Sequence, residues 1–146
     1  MDGFPFSTHI EVRYRDVDAM NHVNNAVYVT YLEVARTRLS KEHMEFAGSA
    51  REIPFIVARV AVDYRSPIGF GEDVEIGLAV KAIGSSSYTL TYRIEADGRL
   101  VAEAESVQVH FDYATNRPMP LEGERRASLE RLMKGTGDRA QGTEED

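Results

Sequence analysis

The feature that most constrains this fold is a long run of alternating apolar and polar residues from 53 to 113. A period of two places every second side chain on the same face of a β-strand. Breaks rich in glycine, proline and serine divide the run into four strands, and the Asp97-Gly98 pair is typical of a type I′ hairpin turn between two of them. Residues 8–15 alternate in the same way and predict one earlier strand. We therefore expect an antiparallel sheet of about five strands with one apolar face.

Between the first strand and the other four, the pattern changes to that of a helix, from about residue 26 to residue 46. Residues 26–32 are apolar nearly all round, which predicts burial on several sides. Asn21, Asn24 or Asn25 can cap the start of this helix. Because the helix and the apolar face of the sheet must cover each other, we expect an α+β fold, with a curved antiparallel sheet wrapped around a long central helix. The open sheet edges favour edge-to-edge pairing of two copies.

The chain is long enough for one domain and too short for two, at 146 residues. We expect a single domain over residues 1–134, with a short helix through 124–133. The remaining residues, 135–146, are polar and are predicted to form a disordered tail. The sequence shows no internal repeat and no linker that would divide the domain.

Composition removes several classes of function. The chain has no cysteine, which excludes disulfides and a thiolate nucleophile and is compatible with a cytoplasmic location. We expect no membrane segment, since no signal peptide and no apolar stretch of about 18 residues is visible. A net charge of −7 disfavours nucleic acid as a partner. The four histidines are scattered without ligand spacing, so we expect neither a metal site nor a cofactor.

The chemically informative segment is the polar loop that precedes the helix. It places Asp18 just before free backbone N–H groups and the positive end of a helix dipole. Hydrolysis of a thioester needs a carboxylate, or a water that a carboxylate activates, to attack the carbonyl carbon. It also needs N–H donors directed at the oxyanion, worth roughly 3–4 kcal/mol per donor. One loop that runs into a helix can supply both.

A known family shares this segment. Residues 14–28 follow the pattern Tyr-x-Asp-x-Asp-Ala-Met-x-His-Val-Asn-Asn-Ala-x-Tyr, and Tyr31-Leu32-Glu33-x-Ala35-Arg36 continues it. The run resembles the acyl-CoA thioesterases of the 4-hydroxybenzoyl-CoA thioesterase type. Weaker matches follow in the same order: Val62-Asp63-Tyr64-Arg65-Ser66-Pro67, Gly71-Glu72-Asp73, Ser86-Ser87 and Arg117-Pro118-Met119-Pro120-Leu121. The resemblance covers residues 8–121.

The resemblance implies a hotdog fold and a homodimer with a continuous sheet, or a dimer of such dimers, with active sites at the dimer interface. It implies hydrolysis of an acyl-CoA or acyl-carrier thioester to free acid and thiol, with Asp18 as nucleophile or general base. Glu33 is the reserve candidate, because some other hotdog thioesterases use a helical carboxylate. If Glu33 is buried, it needs a partner such as Arg36 or Arg59. Asp16 is expected to be a solvated or salt-bridged loop residue.

Further site residues are expected to bind substrate or to hold the oxyanion through backbone N–H groups around residues 23–26. They are Asn21, His22, Val23, Asn24, Asn25, Tyr28 and Arg59. Val57 and Ala58 are expected to line the pocket from the partner subunit.

Two departures from the family pattern keep other functions open. The family usually has glycine before His22, where this chain has Asn21, and some members have histidine at the position of Asn25. Asparagine tolerates the left-handed conformation better than most residues, but it cannot replace a histidine in proton transfer. A non-catalytic acyl-CoA or acyl-ligand binder is therefore one alternative. An enoyl-CoA hydratase is less favoured, because that family spaces its Asp and His by five residues, whereas Asp18 and His22 are four apart.

Overall fold

The computed structural model describes residues 1–44 and 54–133. Its elements follow the predicted order of strand, helix and four long strands, with a short strand and a short helix at the end. The elements are β1 (Phe6–Ile10), a 3-10 turn (Tyr14–Asp16), α1 (Asn25–His43), β2 (Phe55–Tyr64), β3 (Val74–Ile83), β4 (Ser87–Ala96), β5 (Arg99–Asp112), β6 (Arg117–Pro118) and α2 (Gly123–Arg131).

The strands form one antiparallel sheet in the order β1-β3-β4-β5-β2, with β6 added beside β5. The predicted sheet of about five strands is therefore a sheet of six, the extra member being only two residues long. The predicted extent of the first strand, residues 8–15, is wrong at both ends, since β1 spans Phe6–Ile10. The side chain of Asp16 accepts the Arg13 backbone N–H at 2.9 Å, which helps to turn the chain out of the sheet.

One face of the sheet, called the inner face, supplies the core. Alternate residues of β3 and β4 that face each other on it are fully buried, as the alternation predicted: Val74, Ile76, Leu78, Val80, Leu90, Tyr92, Ile94 and Ala96. Helix α1 contributes Tyr28, Tyr31, Leu32, Ala35 and Leu39 to the same core. Burial of each large apolar side chain stabilises the fold by about 1.5–3 kcal/mol. The outer face of the sheet is the opposite side.

Local turn and cap chemistry matches the sequence at two points. Asp97 (φ 50°) and Gly98 (φ 80°) connect β4 to β5, and both have the positive φ of the predicted hairpin turn. Asn24 is the residue that caps α1, because its side chain accepts the backbone N–H of Ala26 at 2.9 Å. The helix ends at His43, and the last predicted helical positions lie outside the described residues.

Strand β2 lies at the end of the sheet and is paired only with β5 among the described strands. Apolar side chains on it are uncovered in the single chain: Val57 is 42% exposed and Tyr64 is 44% exposed. Such an edge offers unpaired backbone groups to a second chain. None of the described helices is long and apolar enough to cross a membrane. The predicted domain boundary at residue 134 and the tail 135–146 lie outside the described residues.

Candidate active site

The loop that contains Asp18 closes upon itself and fixes the carboxylate. Asp18 Oδ1 accepts the backbone N–H groups of Met20 (2.9 Å) and His22 (3.2 Å). The Asp18 N–H donates to the His22 carbonyl at 2.8 Å, and the Asn21 N–H donates to the Asp18 carbonyl at 2.9 Å. The side chain is exposed in the single chain, and its Oδ2 makes no hydrogen bond to any described residue. The loop therefore orients the carboxylate and leaves one oxygen free to act.

Asn21 occupies the tightest point of this loop. Its φ is 63°, in the left-handed region that glycine enters without cost and asparagine enters more readily than other residues. This agrees with the expectation that asparagine tolerates the left-handed conformation. Asn21 therefore adopts here a backbone conformation that glycine adopts more easily.

The amide hydrogens at the start of α1 are almost all used within the chain. Four of the five from residue 23 to residue 27 have acceptors: Val23 donates to Ile68 O (2.7 Å), Asn24 to Asp16 O (2.9 Å), Ala26 to Asn24 Oδ1 (2.9 Å) and Val27 to Asn24 O (2.8 Å). The N–H of Asn25 alone among these five has no acceptor in the described residues. The expectation of several free donors around residues 23–26 is therefore corrected to one, because neighbouring oxygens have taken the others.

Asp16 is a buried anchor between the loop and α1. The residue is 1% exposed, and its carboxylate accepts the Tyr31 hydroxyl at 2.7 Å and the Arg13 guanidinium at 3.0 Å. Burial by itself raises the pKa of Asp16, but the hydrogen bonds from the Arg13 N–H, the Tyr31 hydroxyl and the Arg13 guanidinium outweigh it and hold the pKa below its ordinary value. Of the two expected states, the salt-bridged one is confirmed and the solvated one is wrong.

Replacing Asp16 by asparagine is expected to lower the free energy of unfolding by about 2–4 kcal/mol. Hydrogen bonds to a charged group contribute about 1.5–3 kcal/mol each, and a buried donor left without a partner costs about 1–3 kcal/mol. Urea denaturation at pH 7 measures the change. Asp112→Asn is the matched control, because that carboxylate accepts the Ala114 N–H in an exposed turn and its loss should change the stability by less than about 1 kcal/mol.

The difference in unfolding free energy between the wild type and Asp16→Asn should depend on pH, and the lowered pKa of Asp16 gives the sign of that dependence. Because folding lowers the pKa of Asp16, the stability from its charge is complete above the unfolded pKa of about 4 and is lost as the pH falls through the folded value. The advantage of the wild type over Asp16→Asn should therefore shrink as the pH falls below about 4 and through the lowered pKa of Asp16. Groups such as Glu72 titrate in both proteins and cancel. An advantage that stays constant from pH 7 to pH 2 would contradict the assignment.

The tyrosines of α1 belong to the core, as expected. Burial, together with the hydrogen bond to Asp16, raises the pKa of Tyr31. Tyr28 is 2% exposed, burial raises its pKa, and its ring meets the edge of the Tyr64 ring at 4.9 Å between centroids. The Tyr64 hydroxyl donates to the Asn25 carbonyl at 2.9 Å. This contact joins the end of β2 to the residue with the free amide hydrogen. A substrate contact of Tyr28 stays a prediction.

A second loop, residues 66–72, supports the Asp18 loop from the side. The Val23 N–H donates to Ile68 O, and His22 forms a β-bridge with Gly69. Arg99 holds this second loop through its fork of donors: Nε to Ser66 Oγ (3.1 Å), Nη2 to Pro67 O (2.7 Å), Nη1 to Glu72 Oε2 (2.9 Å) and Nη2 to Glu72 Oε1 (3.1 Å). Sequence reasoning missed Arg99 and recognised Glu72 only as part of a weak motif.

Two candidates lie apart from the Asp18 loop in the single chain. Arg59 pairs with Val107 on the outer face of the sheet, whereas α1 packs on the inner face. Glu33 is exposed and has no hydrogen bond or ion pair to any described residue. Its expected partner Arg36 instead donates to the Tyr92 hydroxyl at 3.1 Å. Glu33 is therefore not buried and does not need a positively charged partner, since its position on α1 faces away from the core.

His22 contributes its backbone to the site. Its N–H holds Asp18 Oδ1, its carbonyl accepts the Asp18 N–H, and its side chain is exposed. Within residues 1–44 and 54–133, no three His, Cys, Asp or Glu side chains are close enough together to hold a metal ion. The site thus combines a carboxylate fixed by its own loop, a supporting loop beside it, and an amide hydrogen at the start of α1 that has no acceptor in the described part of the chain.

A family model and two related proteins place this chain among the same group of proteins. Residues 12–129 match the family model of the thioesterase-like superfamily. The long-chain acyl-CoA thioesterase FadM of Escherichia coli K12 is 33% identical over 130 residues, which cover 87% of this chain and 98% of FadM. The acyl-CoA thioester hydrolase YbgC of Escherichia coli O6:H1 is 31% identical over 119 residues, which cover 80% of this chain and 89% of YbgC.

A solved structure agrees with the sequence matches. A thioesterase of Thermus thermophilus, in complex with coenzyme A and Zn, superposes with a TM-score of 0.83 at 36% identity, over 90% of this chain and 96% of that one. The likeness confirms a hotdog-type α+β fold. The match over most of the chain also confirms the resemblance that the motif of residues 14–28 indicated. The chain belongs to the thioesterase-like superfamily.

Proposed function

We propose that this protein is an acyl-CoA thioesterase, which hydrolyses an acyl thioester to the free acid and the thiol. The observation that carries the proposal is the combination of a fixed carboxylate and a free amide hydrogen on one short segment. One oxygen of Asp18 makes no hydrogen bond to the described residues, and the N–H of Asn25, at the first position of α1, has no acceptor among them. The names of FadM and YbgC support the same substrate class.

The proposed reaction uses these two groups in turn. The thioester carbonyl oxygen accepts the Asn25 N–H at the positive end of α1, which stabilises the oxyanion as it forms. Asp18 either attacks the carbonyl carbon or removes a proton from a water that attacks it. The carbon–sulfur bond then breaks and the thiolate leaves. In the direct route, water hydrolyses the resulting mixed anhydride and frees both the acid and Asp18.

We also propose that two copies pair through β2 into a homodimer. An antiparallel two-fold pairing of two β2 strands has its axis near the middle of Phe55–Tyr64, close to Arg59. It would place Val57 and Ala58 of the partner subunit opposite residues 60–62 of β2, the strand that ends at Tyr64, whose hydroxyl contacts Asn25. The uncovered apolar side chains of β2 support this pairing. The site would then lie between two subunits.

Thiol release from a panel of acyl-CoA substrates tests the function. A thiol-detecting reagent added to the purified protein should report turnover for at least one chain length. Tight binding of acyl-CoA without thiol release would instead support the non-catalytic binder. Addition of water to crotonyl-CoA without thiol release would support the hydratase. A chain-length series within the same assay defines the acyl group.

Replacing Val57 by aspartate tests the dimer. Val57 is 42% exposed in the single chain, so the variant should still fold. Burying its new charge between two subunits costs several kcal/mol, which corresponds to a dissociation constant raised about 100-fold or more. Sedimentation velocity should show monomers, and thiol release should fall with the dimer fraction. Ala114→Asp, in the exposed turn after β5, is the control expected to stay dimeric. A monomeric wild type with full activity would overturn the proposal.

A further inference from the structure

We propose that Glu72, clamped by Arg99, is a positioning residue that sets the geometry of the Asp18 loop; the inference rests on the proposed thioesterase function. Glu72 follows Gly71 in a motif that the reaction itself does not use. Its side chain is 22% exposed and Arg99 is 43% exposed, so the pair lies at the surface of the molecule. The proposed role of Glu72 follows from its contacts with Arg99 and with Gly69 of the loop 66–72.

Both oxygens of the Glu72 carboxylate are occupied. Arg99 donates to Oε2 at 2.9 Å and to Oε1 at 3.1 Å, a bidentate pair that fixes orientation as well as charge. The Gly69 N–H donates to Oε1 at 2.7 Å. The hydrogen bonds from Arg99 and then from Gly69 keep the pKa of Glu72 below its ordinary value. A carboxylate used in this way is not available as a base, so its role is to hold the loop.

The clamp reaches the candidate catalytic aspartate through two backbone contacts. Gly69, held by Glu72, forms a β-bridge with His22, and the His22 N–H is one of the two donors to Asp18 Oδ1. Next to it, Ile68 O accepts the Val23 N–H at 2.7 Å. Release of this loop would therefore change the orientation of the carboxylate. It would also leave the Val23 N–H without its acceptor, two residues before Asn25, the proposed oxyanion donor.

Arg99 fixes the clamp to a rigid part of the fold. It is the first residue of β5, immediately after the Asp97-Gly98 turn, and it also donates to Pro67 O and Ser66 Oγ. One side chain thereby joins a sheet hairpin to the loop that supports the Asp18 loop. A displacement of about 1 Å in a reacting group can slow a reaction about 100-fold, so a clamp of this kind can affect the rate without touching the substrate.

Kinetics of Glu72→Ala and Arg99→Ala test the inference. Each variant should lower kcat about 10- to 100-fold and change KM less than about 3-fold, because orientation and not binding is lost. The double variant should lose no more than either single one, since both remove the same clamp. Arg99→Lys should recover only part of the rate, because lysine lacks the planar fork. Lys81→Ala, which removes an ion pair with Glu105 on the outer face of the sheet, is the control with unchanged kcat.

Amide hydrogen exchange followed by NMR gives a readout that does not depend on activity. In Glu72→Ala and in Arg99→Lys, the Val23 N–H should exchange at least about 10-fold faster than in the wild type, while core amides of β4 keep their protection. A folded Glu72→Ala protein with wild-type kcat and unchanged Val23 exchange would overturn the inference. If the wild type hydrolyses no acyl-CoA, the proposed function fails, and the exchange at Val23 still decides whether the clamp holds the loop.

Discussion

Asp18→Asn should fold as the wild type does and should lose thioester hydrolysis by about 10²–10⁴-fold in kcat. Asparagine has the same shape, and its side-chain oxygen can still accept the N–H groups of Met20 and His22 that orient Asp18. The amide can neither attack the thioester carbonyl nor take a proton from water. The loop therefore keeps its structure while the reactive group is removed.

Thiol release at saturating acyl-CoA, together with the melting temperature, measures this result. Glu33→Gln is the discriminating control, because the Glu33 carboxylate is exposed and lies on α1 outside the Asp18 loop. It should retain activity within about 3-fold of the wild type. The reverse result, with an active Asp18→Asn and an inactive Glu33→Gln, would move the catalytic role to the helix. Full activity in both variants would exclude both carboxylates.

Asn25→Pro should lower kcat about 10²–10³-fold while the helix remains intact, because it deletes the amide hydrogen at the start of α1 that has no acceptor among the described residues. Proline is favoured at the first position of a helix, where its fixed φ fits and its missing N–H breaks no helical hydrogen bond. The residue before a proline must be extended, and Asn24 already is, at φ −61° and ψ 137°. The carbonyl that accepts the Tyr64 hydroxyl is kept.

Asn25→Ala is the matched control, since it removes the side chain and keeps the backbone N–H. Its rate should stay close to that of the wild type. If Asn25→Pro folds, shows the wild-type far-UV circular dichroism and hydrolyses acyl-CoA at the wild-type rate, this amide is not the oxyanion donor. If the alanine variant alone is slow, the side chain acts on the substrate and the backbone role is wrong.

The parts of the fold that depend on neighbours in sequence could be predicted. Alternation predicted the strands, Asp97-Gly98 predicted the hairpin, and a polar residue before an apolar run predicted the helix start. Alternation alone could not predict that β1 ends at Ile10, because residues 11–15 continue the alternating pattern. The hydrogen bond from the Arg13 N–H to the Asp16 side chain turns the chain out of the sheet there. A local hydrogen bond competes there with the strand pattern.

The parts of the site that depend on distant partners were beyond sequence reasoning. Asp16 was expected to be a solvated or salt-bridged loop residue. Its burial depends on Tyr31 of α1, which lies 15 residues further along the chain. Arg99 lies 27 residues from Glu72, and no local pattern connects the two. Which amide hydrogens are free depends on where acceptors such as Ile68 O lie. Sequence could therefore identify the loop and its aspartate, and only the tertiary structure could select the donor.

Asn21 has a consequence for the balance of entropy and strain when the loop folds. In the unfolded chain, glycine at this position would sample many more backbone conformations than asparagine does. Asparagine therefore loses less conformational entropy when the chain folds. This gain opposes the cost of holding a residue with a side chain at φ 63°.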